Sequence, residues 1–358
     1  MNDDDYMTAA LALAARGLYT TTPNPHVGCV LVNNGVVVGE GWHVRAGEPH
    51  AEVVALRAAG ERARGATAYV TLEPCHHHGR TPPCDEALIA AGVKRVVAAM
   101  QDPDPRTAGQ GLARLSAAGI ETTCGLRAAE AAELNIGFTS RVTRGRPWVR
   151  LKIAASLDGR TALANGQSQW ITGAAARRDG HAWRARACAV LTGIGTVKDD
   201  DPQLNVREVE TTRQPLRVIV DSRLETPPTA KILGGGGALI FCARLDDAKR
   251  AALEKRGAEI VVLPNASGKV ELPALLQELG RRGINELHVE AGHKLNGSLI
   301  REGCVDELLL YLAPCLLGDA AQGMAALGEL AALDARQKLM INETRMIDGD
   351  LRLLARFV

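Results

Sequence analysis

The chain has 358 residues, 46% of them hydrophobic, and its 42 basic against 41 acidic side chains give a formal net charge of +1. That length is enough for two domains of about 100–200 residues each, with real cores. A nucleic-acid binder usually carries a basic excess or a basic stripe. The balanced charge therefore predicts a small-molecule ligand and no nucleic-acid partner.

The opening segment, MNDDDYMTAALALAARG, is acidic and lacks the basic leader and long apolar core of a signal peptide. No apolar run approaches the roughly 20 residues that cross a bilayer. We therefore expect a cytoplasmic protein with no membrane partner. In that compartment the eight cysteines are expected to be free thiols or metal ligands rather than disulfides.

Helix and strand patterns alternate in the first part of the chain. Helical spacing covers YMTAALALAARG, and two apolar runs then flank Asn33-Asn34-Gly35, a composition typical of a hairpin turn. The next segments are predicted as helix HAEVVALRAAGERA, strand ATAYVTLE, helix CDEALIAAG, strand VKRVVAAM, helix GQGLARLSAAG and strand IETTCG. Helices that alternate with short buried strands predict a three-layer α/β/α domain.

From Leu126 the pattern changes to one long helix that ends at Gly145 and Pro147. We place the domain boundary there, which gives domains of residues 1–145 and 146–358. After it, strands are predicted at VRLKIAASLDGR, ACAVLTGIG, PLRVIVDS, ALIFCA, AEIVVLP, ELHVEAG and ELLLYLAP, with helices at DDAKRAALEKRG and LPALLQELGRRG between them. The pattern predicts a second α/β domain with its own sheet, and residues 234–237, GGGG, are interpreted as a surface turn.

The richest group of metal-binding residue types lies in EPHAEVVALRAAG and YVTLEPCHHHGRTPPCDEALIAAG. A catalytic zinc ion takes three protein ligands, commonly His and Cys, and keeps one position open for water. His50, Cys75 and Cys84 supply that number. His50 and Glu52 diverge on a regular helix, but at a helix N-terminus both can face one cavity. Cys75 follows Pro74, and we expect it at a further helix start, where the dipole favours the thiolate.

This set predicts one zinc ion per chain and an activated water that attacks an amidine-like ring carbon, with Glu52 carrying the proton to the leaving ammonia. The alternatives are ordinary core cysteines or a structural zinc site with a fourth ligand from residues 76–78. A glutamate two residues from the ligand histidine is superfluous in a structural site, which favours catalysis. The other cysteines stand alone in apolar segments and are predicted to be packing thiols: Cys29, Cys124, Cys188, Cys242, Cys304 and Cys315.

The motif HAE followed by PC and a second cysteine resembles the cytidine-deaminase-like superfamily, whose usual spacing is Cys-x-x-Cys. This chain instead has eight residues between Cys75 and Cys84. With that spacing, TLEPCHHHGRTPPC, TPNPHVGCVLV and GEGWHVRAGEPHAEV resemble the deaminase half of the bifunctional riboflavin-biosynthesis deaminase–reductases. A deaminase fold alone leaves cytidine, guanine or tRNA adenosine open, whereas this family acts on a diamino-pyrimidinone with a phosphoribosylamino group. The resemblance implies a pyrimidine and phosphate site lined by Asn24, His43, His77 and Arg80. A surface or helix-capping role is the alternative for each.

Three later segments resemble the reductase half of the same family: LKIAASLDGRTALANGQSQWITG, VLTGIGTVKDDDPQLNVR and HVEAGHKLNGSLIREGCVDELLLYLAPCLLG. The resemblance covers nearly the whole chain and implies a dihydrofolate-reductase-like α/β domain that uses NADPH. After the strand at ELHVE, a tight turn opens a helix, whose backbone N–H groups suit a phosphate. The resemblance makes this the cofactor-phosphate segment, formed by Gly292, His293, Lys294, Leu295, Asn296, Gly297 and Ser298. The family often has two glycines after Glu290, and here Ala291 takes the first place, where its methyl group could tighten the turn.

The resemblance implies further contacts in the reductase site. Contacts to the nicotinamide cofactor are assigned to Ala154, Trp170, Thr196, Asp200 and Ser222. Contacts to the substrate are assigned to Ser168, Arg184, Leu204, Arg207 and Glu290. Guanidinium groups clamp phosphates well, so both arginines suit the ribose phosphate; surface ion pairs are the alternative for them, and a core position is the alternative for Trp170. The catalytic polar set near the reacting carbon is Lys152, Asp200 and Glu290, and the residue types leave open which of them transfers protons.

The two halves together predict a bifunctional enzyme that first deaminates the pyrimidine with zinc and then reduces the ribosyl side chain to ribityl with NADPH. The family implies a homo-oligomer, a dimer or a tetramer. One rival is a nucleic-acid-editing deaminase with a non-catalytic appendage, which the neutral charge disfavours and a salt-dependent affinity for RNA would revive. The other is a zinc-stabilised oligomerisation protein without enzymatic activity, which the absence of any rate with the diamino-pyrimidine and NADPH would favour.

Overall fold

The computed structural model describes residues 1–77, 82–105 and 107–358. The chain divides into two compact units, Met1–Gly145 and Arg146–Val358.

The first unit is built on a five-stranded sheet with the order β2-β1-β3-β4-β5. β1 pairs antiparallel with β2 and β3, while β3, β4 and β5 run parallel. The elements are α1 (Asp3–Ala15), β1 (Gly28–Asn33), β2 (Val36–Trp42), α2 (Ala51–Ala59), β3 (Thr67–Val70), α3 (Cys84–Ala91), β4 (Arg95–Ala98), α4 (Gln110–Ala117), β5 (Glu121–Cys124), α5 (Ala128–Leu134) and α6 (Ile136–Arg144), with a 3₁₀ turn at Gly60–Ala63.

The side chains of β1 alternate between two cores, one on each face of the sheet. Cys29 and Leu31 pack with α2, α3 and α4 on one face of the sheet. Their neighbours Val30 and Val32 pack with α1 and α5 on the other face. Successive side chains of a strand point to opposite faces, so one strand contributes to two cores. The predicted three-layer α/β/α arrangement is confirmed.

The turn between β1 and β2 also agrees with the sequence pattern. Asn34 and Gly35 have φ values of 51° and 76°. A type I′ hairpin turn needs positive φ at both central residues, and Asn-Gly tolerates it best. The predicted hairpin is confirmed.

The single long helix predicted from Leu126 to Gly145 is wrong, because the chain forms α5 and α6 instead. Asn135, between them, leaves the helical region with φ −105° and ψ 20°. Its buried side chain accepts a hydrogen bond from the His26 N–H (2.7 Å) and donates one to the His26 carbonyl (3.0 Å). These tertiary hydrogen bonds satisfy both backbone groups of His26 and hold Asn135 outside the helical geometry.

The second unit is built on a nine-stranded sheet with the order β11-β10-β9-β8-β12-β6-β13-β16-β15. In this order, all neighbouring strands from β11 to β13 pair in parallel. β16 pairs antiparallel with both of its neighbours, β13 and β15. The elements are β6 (Trp148–Ser156), β7 (Arg160–Ala162), α7 (Ala174–Arg186), β8 (Ala189–Gly193), α8 (Ile194–Asp200), β9 (Leu216–Val220), β10 (Leu239–Cys242), α9 (Asp247–Glu254), β11 (Glu259–Val262), α10 (Leu272–Arg281), β12 (Glu286–Val289), α11 (His293–Arg301), β13 (Glu307–Ala313), β14 (Gln322–Gly323), β15 (Leu339–Ile347) and β16 (Asp350–Phe357), with 3₁₀ turns at Lys231–Leu233 and Leu333–Ala335. The predicted second α/β domain with its own sheet is confirmed.

Two cores again lie on opposite faces of this sheet. Leu191 packs with α10 and α11, whereas the adjacent Val190 packs with α8 and α9.

Near α7 the sheet carries buried charged side chains in place of apolar ones. Arg150 of β6 is 1% exposed and donates to Glu286 (2.8 Å) and Glu307 (2.6 Å). Since side chains two apart on a strand share a face, the same face of β6 carries Lys152 next.

All eight cysteines are free. Four of the six predicted packing thiols are buried: Cys29, Cys188, Cys242 and Cys304. For Cys124 and Cys315 the prediction is wrong, because both are exposed. Cys124 ends the edge strand β5, and Cys315 lies just beyond the end of β13, so both lie at the margin of a sheet.

Candidate active sites

The first candidate site lies at the N-terminus of α2. His50 precedes the helix with extended backbone angles (φ −72°, ψ 164°), and its ring makes no capping hydrogen bond. Glycines in β2 let this helix lie directly on the sheet: a Cβ atom at Gly41 would stand 2.5 Å from the Ala51 carbonyl oxygen. This close packing places His50 and Glu52 over the sheet, as the helix-start prediction requires.

The His50 imidazole and two thiols converge at this point. His50 Nδ1 lies 3.3 Å from Cys84 Sγ and 3.5 Å from Cys75 Sγ. Zinc bonds of about 2.0 Å to nitrogen and about 2.3 Å to sulfur at tetrahedral angles separate such atoms by about 3.5 Å. Among the described residues this is the group of His, Cys, Asp and Glu side chains whose ligand atoms lie within 4.8 Å of one another. The three residues therefore fit a zinc ion.

The helix start predicted for Cys75 is wrong, since Cys75 lies in a loop and Cys84 begins α3. The helix still acts on Cys75, because the Cys84 backbone N–H points at its sulfur (3.4 Å). A hydrogen bond from the Cys84 thiol lowers the pKa of Cys75 to about 4, despite burial. A low thiol pKa favours the thiolate, the form that binds metal.

Glu52 lies beside these ligands without joining them. Its side chain is 3% exposed, and no Glu52 oxygen belongs to the three-atom set. Its Oε2 is buried with no hydrogen-bond partner among the described residues. Burial raises the pKa of Glu52 to about 7. A carboxyl group with an unsatisfied oxygen and a pKa near neutrality can take up and release a proton.

Asn24 and His43 are brought together next to His50. Asn24 Nδ2 lies 3.0 Å from His43 Nε2, and His43 Nδ1 lies 3.2 Å from the Pro49 carbonyl oxygen. The His43 and His50 rings meet edge to face at 5.2 Å. Burial lowers the pKa of His43, so the ring is neutral near pH 7. A neutral ring can donate from Nδ1 and accept at Nε2, which matches both contacts.

The other two predicted substrate residues differ in what can be said of them. His77 is exposed, and its Nδ1 lies 3.3 Å from Thr107 Oγ1. Arg80 lies outside the described residues.

Glu73 is a buried residue of this site that sequence reasoning missed. It is 3% exposed, and its carboxylate accepts backbone N–H groups from Asp102 (3.1 Å), Gly109 (2.9 Å) and Leu112 (3.1 Å). Glu73 therefore links the segment that precedes Cys75 with the loop before α4. An acidic residue two positions before a ligand cysteine, at the end of an apolar strand, was the signal available.

The second candidate site is a cavity of about 1880 Å³ within residues 146–358. It lies along one edge of the sheet, where the parallel strands β6, β8, β9 and β12 end, and open α/β sheets bind ligands at this edge. The predicted residues that line it are Lys152, Ala154, Ser168, Trp170, Arg184, Thr196, Asp200, Leu204, Arg207, Ser222, Glu290, Gly292, His293, Lys294, Leu295, Asn296 and Ser298.

Lys152, Arg184 and Glu290 form a tight ionic cluster at one end of the cavity. Arg184 makes a two-point hydrogen bond to Glu290, at 2.9 Å for Nη2 and closer for Nε. Lys152 Nζ lies 3.7 Å from Glu290 Oε2. Burial favours the neutral carboxyl, but the charges of Arg184 and Lys152 hold the pKa of Glu290 well below its ordinary value. Burial also lowers the pKa of Lys152, and Glu290 opposes that shift.

Asp200 lines the same cavity, but its described contacts differ from those of the cluster. A hydrogen bond links it to Gln169, and burial raises its pKa. The structure therefore brings Lys152 and Glu290 into direct contact and leaves Asp200 with a different neighbour.

Arg207 and Arg184 converge on Asn205. Arg184 donates to the Asn205 carbonyl (3.1 Å), and Arg207 donates to its side chain (2.6 Å). His181, which sequence reasoning missed, accepts the Arg207 backbone N–H at Nδ1 (3.3 Å). Burial lowers the pKa of His181 to about 4, so the neutral ring keeps Nδ1 as an acceptor. Its position one helical turn before Arg184 was the available signal.

The turn after β12 agrees with the predicted phosphate segment in most respects. Gly292 caps α11, and Ala291 is absent from the residues with positive φ, so its methyl group causes no backbone strain. Gly297 faces away from the cavity, where a Cβ atom would lie 2.2 Å from the Ala326 carbonyl oxygen. A glycine is therefore required at position 297 for packing.

Trp170 is 70% exposed and stacks with Arg177 at 4.4 Å, so the alternative that Trp170 is a core residue is wrong.

Comparison with known proteins matches a family model to each of the two units. Residues 1–100 match the family model "Cytidine and deoxycytidylate deaminase zinc-binding region", and residues 147–352 match "RibD C-terminal domain". The riboflavin biosynthesis protein RibD of Escherichia coli is 49% identical over 365 residues, which cover 99% of each chain. The chain belongs to the RibD family.

Solved RibD structures match the whole chain. Acinetobacter baumannii RibD is 45% identical with a TM-score of 0.92 and 99% coverage of both chains. A Thermotoga maritima diaminohydroxyphosphoribosylaminopyrimidine deaminase/5-amino-6-(5-phosphoribosylamino)uracil reductase is 32% identical with a TM-score of 0.88, again with 99% coverage. This RibD-family chain is a bifunctional deaminase and reductase of riboflavin biosynthesis that uses Zn²⁺ and NADPH. None of its described helices has both the length and the apolar character to cross a bilayer.

Proposed function

We propose that residues 1–145 deaminate 2,5-diamino-6-(5-phosphoribosylamino)pyrimidin-4-one and that residues 146–358 reduce the ribosyl side chain of the product to ribityl. The observation that carries the proposal is the buried, unpartnered Oε2 of Glu52 beside a three-residue ligand set. A structural metal site has no use for such a group. The name of the T. maritima relative supports the substrate.

In the deaminase unit, His50, Cys75 and Cys84 hold one zinc ion per chain. When bound, zinc supplies Lewis-acid activation of a water molecule. Glu52 would take a proton from the attacking water at Oε2 and pass it to the ring nitrogen as the oxygen adds to the ring carbon. It would then carry the second proton of that oxygen to the amino group, so that ammonia leaves and the ring carbon becomes a carbonyl. Asn24 and His43 orient the pyrimidine, because their hydrogen-bonded pair lies against His50. With His77 and Arg80 they line the pyrimidine and phosphate site.

In the reductase unit, Glu290 binds the substrate and Lys152 transfers a proton. Ring opening moves the proton of the glycosidic nitrogen to the ribose ring oxygen and leaves a C1′=N bond. NADPH, when bound, supplies the hydride that adds to C1′. The nitrogen then takes a proton from Lys152 Nζ. Glu290 is held ionised by Arg184 and Lys152, so it accepts hydrogen bonds from the substrate and does not donate a proton.

The remaining cavity residues bind the two ligands. Arg207 and Arg184 attract the ribose phosphate, which guanidinium groups bind well. Ser168 and Leu204 complete the substrate side. The cofactor contacts are Ala154, Trp170, Thr196, Asp200, Ser222, Gly292, His293, Lys294, Leu295, Asn296 and Ser298, and Gly297 supports this segment from behind.

We further propose that the chain forms a cytoplasmic homo-oligomer, a dimer or a tetramer. The edge strand β15 supports the assembly, because Met340, Ile341 and Met346 are 53–62% exposed on it. Exposed apolar side chains on a sheet edge favour association with another chain. Eight free cysteines support a reducing compartment.

Cys84→Ser tests the ligand set, and Cys124→Ser is the matched control. We expect Cys84→Ser to lose both zinc and deamination, because a hydroxyl replaces a thiolate ligand. Cys124→Ser leaves both unchanged, since that residue is exposed at the end of β5. Metal analysis of the purified variants decides the matter, and full zinc retention in Cys84→Ser would contradict the ligand set.

NADPH oxidation with the diamino-pyrimidine substrate tests the whole function. We expect oxidation that stops when a zinc chelator removes the metal, because the reducible product is no longer formed. Addition of the already deaminated compound restores oxidation in the chelated enzyme. Oxidation of NADPH by the chelated enzyme with the original substrate would contradict the proposed order of the two reactions.

A further inference from the structure

The reductase cavity extends well beyond the residues assigned to the nicotinamide and the pyrophosphate. Its strands lie in the order β6, β12, β8, β9 and β10. Lys152 lies on β6, Gly292 follows β12, Thr196 follows β8 and Ser222 follows β9. Neighbouring strands are about 4.8 Å apart, so the three steps from β6 to β9 span about 14 Å. A dinucleotide with its reacting end at Lys152 and its pyrophosphate at Gly292 would extend its adenosine toward β9 and β10.

A closed loop forms the wall of the cavity at that end. Asn265 Oδ1 accepts hydrogen bonds from the Ser267 N–H (3.0 Å), the Ser267 hydroxyl (2.9 Å) and the Lys269 N–H (2.9 Å). One side chain thus holds the backbone of Lys269 in place. Ser222 Oγ accepts the Val270 N–H (3.2 Å), which ties the loop to the end of β9.

A buried acceptor lies next to this loop. Asp221 is 1% exposed and lines the cavity. Its Oδ2 accepts from the Thr226 N–H and hydroxyl, both at 2.7 Å. Its Oδ1 is buried with no hydrogen-bond partner among the described residues. An acidic group after a strand of an α/β sheet commonly binds the adenosine ribose hydroxyls of a dinucleotide, and the Asp221 carboxylate has an unused acceptor beside this end of the cavity.

Two cations lie beside the loop without a close ion pair to any described carboxylate, Lys269 and Arg244, although Lys269 interacts electrostatically with Glu302. Lys269 lines the cavity, whereas Arg244 lies outside that lining, next to the lining residue Gly268. The Arg244 N–H donates to the Ser222 carbonyl (3.1 Å), and a Cβ atom at Gly268 would lie 3.6 Å from Arg244 Nη2. The other cations at this end are already engaged, Arg223 with Glu225 and Lys231 with Asp201.

We propose that Lys269 and Arg244, together with the Ser222 hydroxyl, bind the 2′-phosphate of NADPH and set the preference for NADPH over NADH. The proposal rests on the proposed reductase function. A phosphate monoester carries close to two negative charges near pH 7 and three acceptor oxygens, and charge-assisted hydrogen bonds to it are strong. The carboxylate of Asp221 by itself suits the diol of NADH, so the two cations decide the preference.

The test compares 2′,5′-ADP with 5′-AMP, which differ only in the 2′-phosphate, by calorimetric titration of the full-length chain. We expect wild type to bind 2′,5′-ADP more tightly. In the Lys269→Ala/Arg244→Ala variant, the affinity for 2′,5′-ADP falls by about tenfold or more, since two charged contacts are lost. The affinity for 5′-AMP stays within about twofold. The KM for NADPH rises in parallel, and that for NADH does not.

Lys255→Ala is the matched control, because it removes one exposed positive charge at the end of α9, outside the cavity lining. Lys269→Arg keeps the charge and is expected to retain the preference. The subsite assignment is wrong if the double variant keeps the wild-type preference for 2′,5′-ADP, or if its affinities for the two fragments fall equally. In both cases the reductase function stands. If wild type binds neither fragment nor NADPH, the proposed reductase function is wrong as well.

Discussion

Glu52→Gln should reduce deamination at least 10²-fold while leaving zinc content unchanged. The amide keeps the shape of the carboxyl group but cannot exchange a proton, and general acid–base groups contribute roughly 10²–10⁴-fold in rate. Zinc remains because no Glu52 oxygen belongs to the ligand set. Supplied with already deaminated substrate, the variant should oxidise NADPH at about the normal rate, since every proposed reductase residue belongs to residues 146–358.

Glu61→Gln is the matched control, because this exposed residue lies on the 3₁₀ turn after α2. It should leave zinc and both half-reactions unchanged. Metal analysis and the two half-reaction assays together decide the role of Glu52. Near-normal deamination in Glu52→Gln would remove it from the mechanism, and loss of zinc would make it a ligand. A parallel loss of reduction would mean that the two activities are coupled.

Lys152→Met should reduce the reductase rate by roughly 10²–10⁴-fold, the usual contribution of a general acid. Methionine preserves the length and the apolar stem of the side chain but cannot donate a proton. Glu290 keeps its two-point hydrogen bond to Arg184, so the cluster is not left with an unpaired buried carboxylate. The measurement is the rate of NADPH oxidation with deaminated substrate, and deamination is expected to be unaffected.

The pH dependence of the wild-type reductase gives an independent check on Lys152. Burial lowers the pKa of Lys152 below its ordinary value of 10.5, and the protonated amine is the donor. The reductase rate should therefore be at its maximum below the lowered pKa of Lys152 and should fall as the pH rises through that pKa. Lys152→Met should lose this alkaline limb, while Lys255→Met should keep both the rate and the limb. A near-normal rate in Lys152→Met would rule out the proposed proton donor.

Local patterns in the sequence were sufficient for much of the fold and for the choice of chemistry. Short apolar runs between helical segments predicted both sheets, because alternation and run length are properties of neighbouring residues. The Asn34-Gly35 hairpin followed from the backbone angles those residues tolerate. The metal ligands followed from residue type, since His and Cys are the side chains that suit zinc. For the reductase the resemblance supplied residue names, and the cavity does collect nearly all of them.

Other features could not be predicted because they depend on residues that are distant in the chain. Asn135 divides the predicted long helix through its hydrogen bonds to His26, and a helical pattern contains no sign of that partner. Cys75 lies in a loop, and its sulfur is held by a helix that begins nine residues later. Gly297 was predicted to hold a cofactor phosphate but is needed where the chain packs against Ala326.

The sequence by itself determined the fold class through local periodicity and the zinc-ligand types through residue chemistry, whereas the order of the two activities and the reductase residues were implied by the family resemblance. Only the tertiary structure decided how those residues are charged and paired. Burial leaves Glu52 with an unsatisfied oxygen, and the pairing of Arg184 and Lys152 keeps Glu290 ionised. The tertiary structure also brings Arg244 next to Gly268, in the loop of Lys269. Burial and charge pairing arise from contacts across the sheet, which no local pattern contains.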